Sequence, residues 1–359
     1  MKSPLEKQYF EDYEAPKYKW GFLNTKGDIV IDPIYDDVRD AKQDLIAANL
    51  EGKWGYINHK GKTVIPFIYQ QALDFSESRS FVQDFENQWY LINTTGDSIT
   101  TLQYSEFKSF KNNHCVVGQA DKWGLINQQG DEIVPIIYNK LTQTSYGYLI
   151  AQRGEKYGII DTLNNILLAF NYDKIYTSES EILRLKSNKK YTFYSLSDNS
   201  KSKTNFDKAY NFYNDLALVS NNGKSWLINK SYKKVEDLGS LNVSPIGQGF
   251  YKYKSNNRYG IINPKGVKIT NPEFELVNQY KADRLVFSKN DLFGYLDDKG
   301  KTIFPAVFPL AWDFSGTLAR VIGPRGVAFI NRDGKLIFES PYFEIRDYYN
   351  GIARYQSFR

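Results

Sequence analysis

The chain has 359 residues, 46 Lys and Arg against 41 Asp and Glu for a net charge of +5, 42 % hydrophobic residues and 16 % aromatic ones. That composition suffices for a continuous core and excludes a disordered chain, and its interspersed charges exclude a polybasic tail or an acidic tract. Cys115 is the single cysteine, so no intramolecular disulfide can form.

Residues 1–18, MKSPLEKQYFEDYEAPKY, contain no apolar run of signal-peptide length and are read as an N-terminal cap segment. No stretch approaches the length of a membrane span. A cytoplasmic protein is the expectation, or an exported one if a native leader has been removed. From Trp20 the chain repeats. KWGFLNTKGDIVI returns as KWGYINHKGKTVI at Trp54, QWYLINTTGDSIT at Trp89, KWGLINQQGDEIV at Trp123 and KYGIIDTLNNILL at Tyr157. Weaker copies follow at Tyr191, Ser225, Tyr259, Phe293 and Val327, at a spacing of 34 residues with one step of 35. A fixed period of this size marks a repeat architecture, so residues 19–359 are read as one array of ten units, those at 190–257 degenerate.

With the Trp as position zero, +2 and +3 are apolar or aromatic in all ten units, from Phe22/Leu23 to Phe329/Ile330. Successive strand side chains point to opposite faces, so this strand is predicted to be covered on both sides. Asn or Asp at +4 (Asn24, Asn58, Asn127, Asp297) and Gly at +7 (Gly27, Gly61, Gly130, Gly300) have the spacing of a type I turn. A further strand follows with Val30, Val64 or Ile133 at +10, and an aromatic at +15 in nine units, among them Tyr35, Tyr69 and Tyr138. Pro33, Pro66, Pro135 and Pro305 fall between the two and are expected to end that strand. An apolar run such as LIAA at 45–48 precedes each unit after the first, so the predicted unit is a three-stranded antiparallel meander.

The stretch KWGYINHKGKTVIPFIY resembles WG-repeat proteins, bacterial arrays named for their Trp-Gly pair. The resemblance covers about residues 19–359 and implies a β-repeat scaffold, with no catalytic residue to carry over. Only Trp20, Trp54 and Trp123 are followed by Gly, and the units at Tyr191 and Ser225 depart furthest, lacking Gly at both +1 and +7.

A meander of 34 residues cannot bury both faces alone, so each unit must stack on its neighbours. The fold expected is all-β, ten units in an open superhelical array, with a closed propeller-like ring as the alternative. The ring is favoured by one detail, because GIARY at 351–355 is a spare strand that could complete the first unit.

No cofactor or metal is expected. His59 and His114 occupy different unit positions without further ligands beside them, and neither a dinucleotide nor a phosphate-loop motif is present. Position −1 is basic in seven units: Lys19, Lys53, Lys122, Lys156, Lys190, Lys224 and Arg258. Regular stacking would align these as a ladder able to track nucleic acid or an acidic glycan, although with so small a net charge cations that close turns and shield strand edges are the favoured account. The recurring rings at zero and +15 are read as packing between units. The function expected is a non-enzymatic scaffold for a protein partner, with polyanion or glycan binding as the alternative.

Overall fold

The computed structural model describes residues 18–177, 181–342 and 344–358. Most of the cap segment therefore lies outside the described residues; its last residue, Tyr18, opens the first strand. Every regular element among the described residues is a strand, and the strands form ten antiparallel sheets.

The unit around Trp54 shows the pattern. Its strands run Asp37–Val38, Leu45–Leu50, Lys53–Asn58 and Thr63–Tyr69, hydrogen-bonded in that order. Each unit is thus a blade of four strands rather than the three expected, because the segment after the +15 aromatic supplies a short first strand. Where only three regular strands form, isolated bridges occupy the missing place: Tyr191↔Phe206, Tyr259↔Phe274 and Ala311↔Val321. The second and third strands are buried along their middles, as at residues 46–48 and 55–57. The fourth exposes Val64, Ile68, Ile137 and Val307, as the outer rim of a stack must.

Of the two arrangements, the chain adopts the closed one. Tyr18–Asn24 pairs along its length with Ile352–Phe358, from Tyr18↔Phe358 to Asn24↔Ile352. The last two strands of the chain are therefore the first two of the blade that the N-terminus begins, and the result is a ten-bladed propeller. Closure removes the two sheet faces that an open stack would leave to solvent.

The paired apolar positions of the third strand explain the cohesion. Residue +2 packs forward and +3 packs backward. Tyr56 lies in the cluster with Ala72, Phe75 and Val82 of the following blade, while Ile57 joins Phe22, Ile31 and Tyr35 of the preceding one. The final junction is built the same way, with Leu23 packed against Leu318 and Phe329. Ten such clusters join ten blades. The turn after this strand forms as predicted: Asn24 Oδ1 accepts the N–H groups of Lys26 and Asp28, and Gly27 sits at φ 91°.

Proline does not end the fourth strand. Pro33 and Pro66 lie inside Ile29–Tyr35 and Thr63–Tyr69, and Pro135 and Pro305 do likewise. Pairing passes from Trp20↔Tyr35 to Phe22↔Ile31, so two positions of the third strand span four of the fourth. Pro33 rides in this bulge on the rim, where no ladder bond is lost. The bulge also accounts for the glycine of the Trp-Gly pair. A Cβ on Gly21 would lie 2.4 Å from the Ile31 carbonyl oxygen, and one on Gly124 would lie 2.5 Å from that of Val134. Of the four blades whose +1 carries a side chain, those of Tyr90 and Ala328 pair without that bulge, as Leu91↔Thr100 and Tyr90↔Thr101 and as Ala328↔Glu339 and Phe329↔Phe338, whereas the pairing is irregular beside Thr192 and Trp226.

The rings divide their roles differently from the expectation. Tyr35, Tyr138 and Phe274 at +15 are buried, whereas the tryptophans at zero are only half-buried and lean on the clusters from one side.

Candidate interaction surface

The basic ladder is built by the ends of the third strands. Four of its seven cations carry a carboxylate from position +16, the residue that links one blade to the next. Lys19 meets Asp36 at 2.5 Å, Lys156 meets Asp173 at 2.6 Å, Arg258 meets Glu275 at 2.5 Å, and Lys190 meets Asp207. The second carboxylate oxygen accepts the N–H of the following blade's hairpin: Glu51 for Asp36, Asn188 for Asp173, Asn222 for Asp207 and Asp291 for Glu275. Each acid thus clamps two blades together.

These bonds favour the ionised form. The Lys156 ammonium and the Asn188 N–H hold Asp173 below the ordinary carboxylate range, and Lys190 and Asn222 do the same for Asp207. At Glu275 the Asp291 N–H acts first, then Arg258. Burial pushes Asp36 upward, but Lys19 and the Glu51 N–H outweigh it. Lys53, Lys122 and Lys224 have Gln70, Asn139 and Leu241 at +16, and among the described residues no carboxylate lies within 4 Å of their ammonium groups. A polyanion would therefore meet three unneutralised cations, well separated around the ring.

A second set of cations, at −7, reaches across the junctions. Arg184, Lys252, Arg320 and Arg354 donate to the carbonyls of Ala209, Val277, Ile345 and Val38 on the first strand of the next blade. Their charged heads lie over rings: the Arg184 guanidinium is 3.9 Å from the Tyr176 centroid, that of Arg320 4.3 Å from Trp312, the Lys252 ammonium 4.9 Å from Tyr259 and the Arg354 guanidinium 5.3 Å from Trp20. These contacts are cation–π stacks at half-buried sites. They were legible as a pattern, since the four positions are spaced by whole repeat periods, but the basic series at −1 was the more regular.

The candidate chemical groups stay apart. His59 Nε2 lies 2.7 Å from the Gln43 carbonyl, His114 opens a different strand, and burial pushes the Cys115 thiol up to about 12, far from a thiolate at neutral pH.

Three grooves meet at the degenerate units, and another, of about 550 Å³, lies along Val327 and Tyr342. A groove of about 590 Å³ is lined by Tyr146, Glu181, Ser195, Ser197, Asn214 and Lys230. A second, of about 370 Å³, lies among Arg184, Tyr210, Tyr213, Gln248 and Tyr251. A third, of about 400 Å³, holds Tyr210, Ser220, Ser225 and Ser240. One blade, with its strands at Lys208–Ala209, Leu216–Asn221, Lys224–Asn229 and Lys234–Gly239, contributes to all three.

The model of the WG-containing repeat family matches residues 20–54, 54–89, 91–123, 123–157, 157–191, 202–224, 293–322 and 328–357. The chain belongs to the WG-repeat family. The WG-repeat match skips residues 225–292, next to the grooves. No curated protein matches this WG-repeat chain. Among solved structures, the crystal structure of the eukaryotic initiation factor is similar over 96 % of this chain and 98 % of that one, with 14 % identity and a TM-score of 0.50. BamB from Moraxella catarrhalis covers 64 % of this chain and 80 % of its own, with 13 % identity and a TM-score of 0.31. The dihydro-heme d1 dehydrogenase NirN covers 74 % and 71 %, with 10 % identity and a TM-score of 0.35. At such identities the likeness is one of fold alone.

Proposed function

We propose that this WG-repeat propeller is a non-enzymatic scaffold that binds another protein, and that the blades formed by residues 190–257 carry the binding face. The single observation behind this is the contrast between two kinds of residue. Those that recur at the period are taken up by contacts between blades, whereas three grooves and their non-recurring linings gather at one blade. Side chains that a repeat does not require are the ones free to specify a partner.

The test is capture of partners from the native host by the intact chain and by two variants. Ser197→Arg places bulk at the 590 Å³ groove, and Gln129→Arg places the same bulk on a regular blade. The reading expects one or more proteins enriched by the intact chain and by Gln129→Arg but lost with Ser197→Arg. Equal capture by all three would move the binding face elsewhere. Retention on heparin that Lys53→Glu, Lys122→Glu and Lys224→Glu abolish would replace the protein partner with a polyanion.

A further inference from the structure

Eight of the ten blades place an aromatic ring at position zero; the exceptions are Ser225 and Val327. Where the pairing is regular, that ring stands opposite the +15 aromatic on the fourth strand, as Trp20 stands opposite Tyr35 and Trp123 opposite Tyr138. In the blade of Ser225 both positions carry serines, for Ser240 occupies +15.

The tryptophan of that blade has moved rather than vanished. Trp226 follows at +1, and a shift of one residue along a strand turns a side chain to the opposite face. Its ring lies 6.2 Å from Phe206 of the preceding blade, with the Lys234 ammonium over it. On the face it left, Leu227 stays opposite Glu236 as Phe22 stays opposite Ile31, while Ser225 lies opposite Gly239, one residue before Ser240. The space of the ring pair becomes the 400 Å³ cleft lined by Ser220, Ser225, Ser240, Tyr210, Leu241 and Val243. The same cause acts a second time. At the blade of Val327, a cleft of about 550 Å³ lies along Val327, Ser340 and Tyr342.

We infer that the cleft at Ser225 and Ser240 receives an aromatic side chain, tryptophan or tyrosine, presented by a partner protein. The molecule itself shows which occupant the position takes, since in seven of the other nine blades it is an indole or a phenol from the chain's own third strand. The lining suits a ring with one polar handle: Tyr210, Leu241 and Val243 offer apolar surface, and the serine hydroxyls, with Asp207, Lys208 and Asn242 beside them, offer partners for an indole N–H or a phenol O–H. Buried Trp and Tyr are also the residues that dominate protein interfaces. The inference rests on the reading of the propeller as a protein-binding scaffold.

The experiment is saturation-transfer NMR on the full chain with the capped tripeptide Gly-Trp-Gly, with Gly-Ala-Gly as control and with free indole. Transfer to the tryptophan ring protons is expected, with none to the alanine peptide. Ser225→Trp/Ser240→Tyr, which restores the ring pair, should abolish the transfer and raise the melting temperature. Should that double variant fail to fold, Leu241→Arg at the cleft's edge should abolish transfer alone. No transfer with the native chain, or transfer that survives both variants, would overturn the inference. Transfer to indole without transfer to the peptide would overturn the protein-borne occupant. A host protein captured equally by the native and the ring-restored chains sinks the cleft and leaves the scaffold standing; no captured protein at all sinks the scaffold.

Discussion

Arg354, near the end of the chain, donates a 2.6 Å hydrogen bond to the carbonyl of Val38 in the second blade, and its guanidinium also lies 2.8 Å from the Asp40 carboxylate. The same −7 side chain bridges to the next blade at Arg320 and Ile345, so the closing junction uses an ordinary interior contact. Removing residues 352–359 should unpair the edge of Tyr18–Asn24 and lower the melting temperature sharply, with association through the bared strand visible by analytical ultracentrifugation. Arg354→Met keeps an unbranched side chain and loses the guanidinium's bonds and its place over Trp20, at a cost of about 1–3 kcal/mol. A truncated chain that stays monomeric and melts like the full one would refute closure by that strand.

Glycine at +1 answers to the bulge rather than to the tryptophan before it. Gly124→Ala drives a Cβ to 2.5 Å from the Val134 carbonyl oxygen and 2.8 Å from the Ile136 side chain, so the outer strand must shift. A loss of about 2–3 kcal/mol is expected, the scale of a strained, overpacked core position. Ala328→Gly, in a blade without the bulge, should cost only about 0.5–1 kcal/mol, the backbone-entropy penalty of glycine in a strand. Urea unfolding of both variants measures the difference, and equal losses would detach the glycine from the bulge.

How far the sequence could be read follows the same division. Period, strand pattern and Asn-to-Gly turns were legible because they depend on residues close in the chain. The first strand of each blade was not, since a two-residue ladder such as Asp37–Val38 is too short to show alternation. The proline bulge was missed because proline in a strand normally signals an end, and only the neighbouring glycine betrays the exception. Closure was visible as a spare strand at 351–355, but nothing local to that strand could choose between completing the first blade and capping an open stack. The ion-pair clamps could have been read by comparing −1 with +16 in each unit, for Lys19, Lys156, Lys190 and Arg258 have an acid there and Lys53, Lys122 and Lys224 do not. The grooves come from side chains that are absent at regular positions, which a search for motifs does not register.

The degenerate junction carries its own compensation. Elsewhere the +7 glycine packs on the +11 residue of the preceding blade, as Gly61 does on Ile31 and Gly334 on Phe304. At this junction +11 has shrunk to Ser202 and +7 has grown to Tyr232, which holds φ at 61° and lays its ring 6.2 Å from Phe193. Tyr232→Gly should therefore destabilise by about 2–4 kcal/mol despite relieving the backbone. Combined with Ser202→Ile it should recover more than half of that loss. A double-mutant cycle on unfolding free energies reads the coupling, and strict additivity would show that the two changes are unrelated drift.

Acid should loosen the clamps between blades in a defined window. Asp173 and Asp207 have folded-state values below the ordinary 3.8, so near that pH the unfolded chain binds more protons than the folded one. Their contribution is therefore fully present above about pH 4 to 5 and fades as pH falls through the depressed folded values. Both carboxylates are open to solvent, so the effect is modest and should shrink further in 1 M salt. Melting curves of the native chain and of Asp173→Asn/Asp207→Asn should lie apart at pH 7 and converge toward pH 2. A gap that stays constant across this range would mean that the carboxylates stabilise through shape or hydrogen bonding that protonation leaves intact, and not through their charge.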